Sequence, residues 1–286
     1  MTEFDSLPTE KLAKEIMANV QMALAEDVGT GDVTASLLKA DTMAVARVIV
    51  REDAVLCGIP WFNAVLSEVD SRLDVVWSYE EGDLMQKDSE VCRITGPARS
   101  ILTAERTALN FLQLLSGVAS ATREYVDMVQ GTDAGIYDTR KTIPGLRLAQ
   151  KYAVRVGGGN NQRLALYDAI LIKENHIAAS GGIVNALAAA KNKGVPVQVE
   201  VETIEQLLEA LASGAKSILL DNFSLEQMRE AVSIIKDGKF DAVLEASGGV
   251  NRETVSAIAQ TGVHRISIGG LTKFVKATDF SLRIIG

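Results

Sequence analysis

The chain has 286 residues, of which 47% are hydrophobic, 5% aromatic and 23% charged. This is the composition of a globular protein with one large or two modest domains, and it excludes a disordered tail, a collagenous repeat and a disulfide-rich miniprotein. The net charge of −8 argues against general binding to nucleic acid or to a membrane surface, because both carry negative charge.

Cysteine and histidine are scarce. Cys57 and Cys92 do not make a disulfide framework, so a reducing compartment is expected. Together with His176 and His264 they are too few and too scattered for a structural zinc site. The N-terminus lacks the basic and apolar regions of a signal peptide, and no apolar run approaches the roughly 18–20 residues of a membrane span. The sequence therefore predicts a cytoplasmic protein.

The first half of the chain mixes helical and extended patterns without an internal repeat. A helical stripe over 9–26 is followed by a polar, glycine-rich loop. A long helix is predicted over 98–130, with a break near Ser116-Gly117. The other predicted elements are strands over 44–51, 73–79 and 90–94 and a helix over 60–69. This half is therefore predicted to be an α+β region.

The second half alternates short apolar runs with helical patterns. The runs lie at 135–138, 169–173, 197–202, 217–221, 241–246 and 264–268, and the helical patterns at 145–156, 182–193, 203–213, 224–236 and 251–261. Such alternation is typical of parallel strands joined by right-handed crossovers. Because fewer than eight strands are visible, we expect an incomplete α/β barrel rather than a closed one, with a doubly wound sheet as the alternative.

Polar residues follow each apolar run of this second half. They are Asp138, Arg140 and Lys141; Lys173 and Glu174; Glu200 and Glu202; Asp221 and Asn222; Glu245 and Ser247; and Gly269 and Gly270. In a barrel the carboxyl ends of all strands converge on one site, whereas an open sheet uses only the strand ends near its switch point. The pattern favours the barrel and a site at its mouth.

Basic residues are concentrated between Arg140 and Lys173, where seven stand against a single acid, Asp168. We interpret Lys151 and Arg155 as part of a solvated helix face. Arg140, Lys141 and Lys173 lie at predicted strand ends and instead indicate a cationic pocket for a polyanion, since arginine matches the geometry of carboxylates and phosphates.

Two glycine-rich turns follow the last two predicted strands. Ser247-Gly248-Gly249 and Gly269-Gly270 offer backbone N–H groups of the kind that bind phosphate. Glu200 and Asp221 end neighbouring strands, where they could bind Mg²⁺ or ribose hydroxyls or stabilise a developing cation. Together these features suggest a phosphorylated sugar donor and an acidic acceptor.

Several motifs, in order and over nearly the whole chain, resemble the quinolinate phosphoribosyltransferase family. The most specific are Asp138-Thr-Arg-Lys-Thr-Ile-Pro-Gly-Leu-Arg147 and Leu171-Ile-Lys-Glu-Asn-His-Ile177. The others are Glu105-Arg-Thr-Ala-Leu-Asn110, Lys151-Tyr-Ala-Val, Gly157-Gly-Gly, Val199-Glu-Val-Glu202, Leu219-Leu-Asp-Asn-Phe223, Glu245-Ala-Ser-Gly-Gly249 and Gly269-Gly-Leu-Thr272.

The resemblance implies a fold and a reaction. The implied fold is an N-terminal α/β sandwich over 1–115, which residues from about 275–286 rejoin, and an incomplete α/β barrel over 116–274. The implied enzyme is a homodimer in which one subunit's sandwich covers the partner's barrel. It converts quinolinate and phosphoribosyl pyrophosphate, with Mg²⁺, to nicotinate mononucleotide, pyrophosphate and CO₂, the de novo step into NAD.

The resemblance also assigns roles to residues. Arg140, Arg163 and Lys173 would hold the quinolinate carboxylates, and Arg106 would reach them from the partner subunit. Lys141 would contact phosphoribosyl pyrophosphate, and Glu200 and Asp221 would lie at the ribose and the metal. The implied catalytic residues are Lys141, Lys173, Glu200 and Asp221, and those lining the 5′-phosphate and nearby loops are Ser247, Gly248, Gly249, Gly269, Gly270 and Lys273.

One position departs from the family. Many members have histidine where this chain has Gln162, which can donate a hydrogen bond to a carboxylate but carries no charge and no titrating proton. Three other functions stay open: a molybdenum-locus homologue with another acceptor, a Schiff-base barrel aldolase using Lys173, and a non-catalytic phosphoribosyl-ligand sensor.

Overall fold

The computed structural model describes residues 9–285 of the chain. Four antiparallel strands form one sheet, to which the C-terminal segment contributes an edge strand. In spatial order these strands are β12 (Phe280–Ile284), β1 (Met43–Val50), β5 (Glu90–Pro97) and β3 (Asp74–Trp77). Val48 lies opposite Cys92 on one side and Leu282 on the other, so residues more than 180 positions apart close this sheet. A short ladder of β2 (Ala54–Val55) and β4 (Leu84–Met85) lies beside it, and the sequence analysis did not predict it.

Helix α3 (Ala98–Met128) packs on strands β1, β5 and β12 of this sheet, and α1 (Thr9–Asp27) and α2 (Ile59–Val69) pack against α3. A 3₁₀ turn, Ala35–Leu37, follows α1. The start of α2 follows from local chemistry: Pro60 occupies its first turn, and the Glu81 carboxylate accepts hydrogen bonds from the N–H groups of Gly58 and Ile59 at 2.7 and 3.0 Å.

The predicted break in the long helix is wrong. Helix α3 continues through Ser116-Gly117, and both residues are buried contact points. The Ser116 hydroxyl exchanges hydrogen bonds with the backbone of Cys57, and a Cβ at position 117 would overlap the carbonyl oxygen of Lys276. The glycine is therefore required by the close approach of the C-terminal segment, and the helix tolerates it because packing on both sides stabilises it.

The second sheet has six parallel strands in the order of an opened barrel. Around the sheet they are β6 (Gly135–Tyr137), β11 (Arg265–Ser267), β10 (Val243–Ser247), β9 (Ser217–Asp221), β8 (Val197–Val201) and β7 (Ile170–Ile172). The first strand pairs with the last, and the others follow in descending chain order. This is a ring cut between β6 and β7, and a doubly wound sheet would instead reverse direction at an internal switch point. The expected incomplete α/β barrel is therefore confirmed.

Helices lie between the barrel strands in the chain. They are α4 (Arg147–Val156), α5 (Glu174–Ser180), α6 (Ile183–Ala190), α7 (Ile204–Ala212), α8 (Leu225–Asp237), α9 (Val255–Ala259) and α10 (Gly270–Lys273). The short helices α5 and α10 were not predicted, and α9 is shorter than the helical pattern over 251–261. No helix within residues 9–285 is long and apolar enough to cross a membrane.

The barrel interior is polar, and β8 shows why. Val199 and Val201 are fully buried, whereas Gln198 and Glu200 alternate with them and therefore share the opposite face. The side-chain amide of Gln198 contacts Ser217 of β9 and Glu245 of β10, which places this face in the lumen. The fold thus gathers polar side chains from neighbouring strands inside the barrel. The N-terminal residues interpreted as lacking a signal peptide lie partly outside the described chain, and the domain boundaries at 115 and 274 stay predictions.

Candidate active site

An ion pair stands at the carboxyl end of two adjacent barrel strands. Lys173 directly follows β7, and its Nζ donates to both carboxylate oxygens of Glu200 on β8, at 2.7 and 3.0 Å. Burial raises the pKa of the Glu200 carboxyl, the Lys173 ammonium opposes that rise, and the charge of Asp221 on β9 adds to it. Three predicted site residues are therefore neighbours at this edge.

Arg140 and Arg163 lie close enough for their positive charges to interact, near the gap between β6 and β7. Burial and the nearby Arg140 guanidinium both lower the pKa of Arg163, and Asp168 partly offsets them. The Nε of Arg140 is buried and has no hydrogen-bond partner within the described chain. Since a buried N–H without a partner is costly, two adjacent guanidiniums with a free donor have the chemistry to bind an anion.

A buried network fixes the segment that carries Arg163. The Asp138 carboxylate accepts hydrogen bonds from Lys151 Nζ, from Asn161 Nδ2 at 2.6 Å and from the Gln162 N–H at 2.9 Å. Lys151 Nζ also donates to the carbonyl of Gln162 at 3.0 Å. Burial raises the pKa of Asp138 and lowers that of Lys151.

The interpretation of Lys151 as part of a solvated helix face is therefore wrong. Both Lys151 and Asp138 are 0% exposed, while Arg155 one turn later is exposed, as expected. The signal was present in the helix pattern: Lys151 stands three residues after Leu148 and three before Val154, on the buried side of α4.

The loop that carries Lys141 packs against the last glycine turn. A Cβ at Gly269 would come within 3.0 Å of the Lys141 side chain, so the two loops are in contact. The Thr272 hydroxyl donates to the Lys141 carbonyl at 2.8 Å, and buried Gln150 bridges the Ile143 N–H and the Thr272 carbonyl. Gly269 and Thr272 thus lie beside Lys141, and Gly270 and Lys273 belong to the same short segment.

The other glycine turn lies against the end of β9. The Asn222 N–H donates to the Ser247 carbonyl at 2.9 Å, and Asn222 itself adopts a left-handed φ of 56°. A Cβ at Gly248, whose φ is 94°, would overlap the Asn222 side chain. Only glycine fits there, while Gly249 is exposed, with open space where a side chain would stand.

Gln162 enters a chain of hydrogen bonds across the barrel interior that the sequence analysis missed. Its Nε2 donates to Gln198 Oε1 at 2.8 Å, and Gln198 Nε2 donates to Glu245 Oε2 at 2.9 Å. Glu245, predicted among the functional strand ends, lies inside the lumen at 0% exposure, where it also accepts from Ser267. The signal for Gln198 was its two-residue spacing from Glu200 on β8.

Arg106 stands apart from these groups. It is exposed on α3, and no hydrogen bond or ion pair within residues 9–285 joins it to the other predicted site residues. The remaining residues provide an arginine pair, a lysine–glutamate pair beside a second carboxylate, and two glycine turns. Such a set can bind two kinds of anion next to each other and can stabilise positive charge between them.

Comparison with known proteins agrees with this geometry. Residues 32–116 match the family model for the N-terminal domain of quinolinate phosphoribosyl transferase, and residues 118–283 match that for its C-terminal domain. The chain belongs to the quinolinate phosphoribosyltransferase family. The resemblance drawn from the sequence motifs is thereby confirmed.

Individual relatives in this family are similar over most of their length. The chloroplastic nicotinate-nucleotide pyrophosphorylase [carboxylating] of Arabidopsis thaliana is 40% identical over 94% of this chain and 83% of that protein. The probable enzyme of this name from Bacillus subtilis is 39% identical over 91% of this chain and 90% of its own. The solved nicotinate-nucleotide pyrophosphorylase of Francisella tularensis is 42% identical, covers 100% of both chains and superposes with a TM-score of 0.93.

Proposed function

We propose that the protein is a decarboxylating quinolinate phosphoribosyltransferase that makes nicotinate mononucleotide, pyrophosphate and CO₂ for de novo NAD biosynthesis. The observation that carries the proposal is the buried Arg140 Nε without a partner, next to Arg163, in a chain of this family. A dianionic aromatic acceptor supplies the carboxylate oxygens that these donors lack.

The acceptor site consists of Arg140, Gln162, Arg163 and Lys173. Arginine forks bind carboxylates with two parallel hydrogen bonds, and the neutral amide of Gln162 adds a donor without adding repulsion to the arginine pair. Lys173 pairs with Glu200, which stands two residues after Gln198 on the lumen face of β8. The Lys173 Nζ therefore lies at the same face of the barrel.

The donor site is proposed at the ends of β6, β10 and β11. Lys141, Lys273 and the N–H groups of Gly269 and Gly270 form one half, and Ser247, Gly248 and Gly249 form the other. Backbone N–H groups and lysines together suit a 5′-phosphate and a diphosphate.

The carboxylates at the end of β8 and β9 fit a magnesium ion that the substrate brings. No group of three or more histidine, cysteine or acidic residues within residues 9–285 could form a metal cage. Mg²⁺ is commonly held by one or two carboxylates together with substrate phosphates, and Glu200 and Asp221 provide that number. When bound, the ion supplies positive charge that stabilises the departing pyrophosphate.

The residues contribute positioning and charge to each step. As pyrophosphate leaves the ribose, positive charge develops at the anomeric carbon, and Glu200 and Asp221 stabilise it. The pyridine nitrogen, held in line by Arg140 and Arg163, forms the new bond to that carbon. Its positive charge then stabilises the electron pair left on the ring when the adjacent carboxylate departs as CO₂, and a proton from solvent completes the product. No group of the protein needs to form a covalent bond.

The aldolase reading of Lys173 is disfavoured by the ion pair. A Schiff base requires an amine nitrogen that is free to attack a carbonyl carbon, whereas Lys173 Nζ is engaged with both oxygens of Glu200. A homologue with another acceptor would still bind phosphoribosyl pyrophosphate but would not turn over quinolinate. Comparing the turnover of different acceptors therefore distinguishes the two functions.

The direct test is turnover of quinolinate with phosphoribosyl pyrophosphate and Mg²⁺, with nicotinate in parallel. We expect nicotinate mononucleotide and CO₂ from quinolinate only. Arg163→Ala should raise the KM for quinolinate at least tenfold, while Arg155→Ala on the exposed face of neighbouring α4 serves as the matched control. Absence of product from wild type, with phosphoribosyl pyrophosphate still bound, would overturn the assigned acceptor.

A homodimer in the cytoplasm belongs to the same proposal. Arg106 is exposed and unconnected to the site of its own subunit, which is consistent with a role in a partner's site, and the buried free thiols of Cys57 and Cys92 suit a reducing compartment. Mixing inactive Arg106→Ala and Lys173→Ala proteins should restore activity at up to about a quarter of the sites, because each mixed dimer then has one intact site. No recovery after subunit exchange would contradict the shared site.

A further inference from the structure

The backbone of Gln162 is fixed by two hydrogen bonds that do not involve its side chain. Its N–H donates to Asp138 Oδ1 at 2.9 Å, and its carbonyl accepts from Lys151 Nζ at 3.0 Å. Asp138 and Lys151 are both 0% exposed, so this anchor is rigid and excluded from water. The side chain of Gln162 therefore starts from a fixed point, and its remaining freedom is rotation of its own torsions.

The side-chain amide of Gln162 is oriented by a one-way chain of hydrogen bonds. Glu245 uses one carboxylate oxygen to accept from Ser267 and the other to accept from Gln198 Nε2 at 2.9 Å. Gln198 Nε2 also reaches the Ser217 hydroxyl at 3.2 Å, so its N–H₂ group faces the barrel floor. Gln198 Oε1 must then point at Gln162.

Gln162 must therefore direct its N–H₂ group at the amide oxygen of Gln198. Its Nε2 lies 2.8 Å from Gln198 Oε1, and turning either amide by half a rotation would set oxygen against oxygen or leave Glu245 without its donor. Gln162 Nε2 carries a second hydrogen that this contact does not use, and the side chain is only half-buried. Gln162 also directly precedes Arg163 in the chain, in the acceptor site proposed above.

We infer that Gln198 is a positioning residue for the acceptor: through Gln162 it fixes a neutral hydrogen-bond donor toward a carboxylate of the pyridine dicarboxylate. The inference rests on the proposed function. Gln198 acts through Gln162 and does not itself touch the substrate.

The first variant is Gln198→Leu, with Gln130→Leu as control, since Gln130 is an exposed glutamine at the other end of the barrel, just after α3. We expect Gln198→Leu to raise the KM for quinolinate about tenfold, the effect of losing one oriented hydrogen bond. The KM for phosphoribosyl pyrophosphate should stay within about twofold. A parallel rise in both constants would assign Gln198 a merely structural role and overturn the inference, as would an unchanged KM for quinolinate.

The second test is a double-mutant cycle with Gln162→Leu, which guards against a general loss of structure in the first variant. Because Gln198 acts through Gln162, adding Gln198→Leu to the Gln162→Leu protein should change the KM for quinolinate by less than about twofold. A further rise of about tenfold in that background would show that the two residues act independently and would overturn the inference. Failure of wild type to use quinolinate would instead refute the proposed function, so the two failures are distinguishable.

Discussion

Replacing Lys151 by methionine should be among the most damaging single changes at a residue that does not touch substrate. Methionine fills nearly the same volume as the lysine stem, so the change removes charge without opening a large cavity. It leaves the Asp138 carboxylate at 0% exposure with two remaining donors, Asn161 Nδ2 at 2.6 Å and the Gln162 N–H at 2.9 Å.

The magnitude follows from burial. Removing one partner of a buried ion pair costs about 3–5 kcal/mol, because the other charge is left uncompensated. Lys216→Met is the matched control: Lys216 pairs with Asp241 at 2.9 Å, but the two side chains are 67% and 95% exposed. Loss of such a surface pair costs about 0–1 kcal/mol. Urea unfolding, followed by the fluorescence of Trp61 and Trp77, measures both.

The pH dependence gives a second check with a definite sign. Burial raises the pKa of Asp138, and removal of the Lys151 cation raises it further in the folded state. A carboxyl whose folded pKa lies above its unfolded value loses folding stability as pH rises between the two values. The deficit of Lys151→Met should therefore be smaller near about pH 5 than near about pH 8. A deficit no larger than that of Lys216→Met, or one independent of pH, would refute this account of the buried pair.

Three further predictions concern other contacts. Gly117→Ala should lower the free energy of unfolding by about 1–3 kcal/mol and with it the thermal midpoint, because overlap of the new Cβ with the Lys276 carbonyl outweighs alanine's helix preference. An unchanged midpoint would contradict the close approach. Gly248→Ala should weaken binding of phosphoribosyl pyrophosphate, measured by calorimetry, at least about tenfold through strain against Asn222, and equal affinity would remove this turn from the donor site. Burial raises the pKa of the Glu81 carboxyl in the folded protein, so wild type should lose folding stability relative to Glu81→Gln as pH rises from 4.5 toward neutral. A wild type that instead gains stability relative to the variant over this range would contradict the raised pKa.

The alternation of strand and helix in the second half could be predicted from the sequence because each element there carries its own periodic pattern. The strands over 197–202 and 217–221 formed nearly as predicted, as Val197–Val201 and Ser217–Asp221. The break expected in α3 failed because Gly117 was judged by its local helix preference, while its role is set by contact with Lys276, far away in the chain. Local propensity is a weak guide where a distant segment supplies the packing.

The sequence by itself determined the family, the alternation of strands and helices along the second half, and the residue types at the carboxyl ends of those strands. Motif identity and hydrophobic period are properties of adjacent residues, so one chain suffices to see them. Only the tertiary structure decided that Lys151 is buried against Asp138, that Arg140 Nε is left without a partner in the described chain, and that Gln162 is oriented through Gln198. Burial and hydrogen-bond direction depend on side chains that meet across the barrel, and no pattern along the chain records which of them meet.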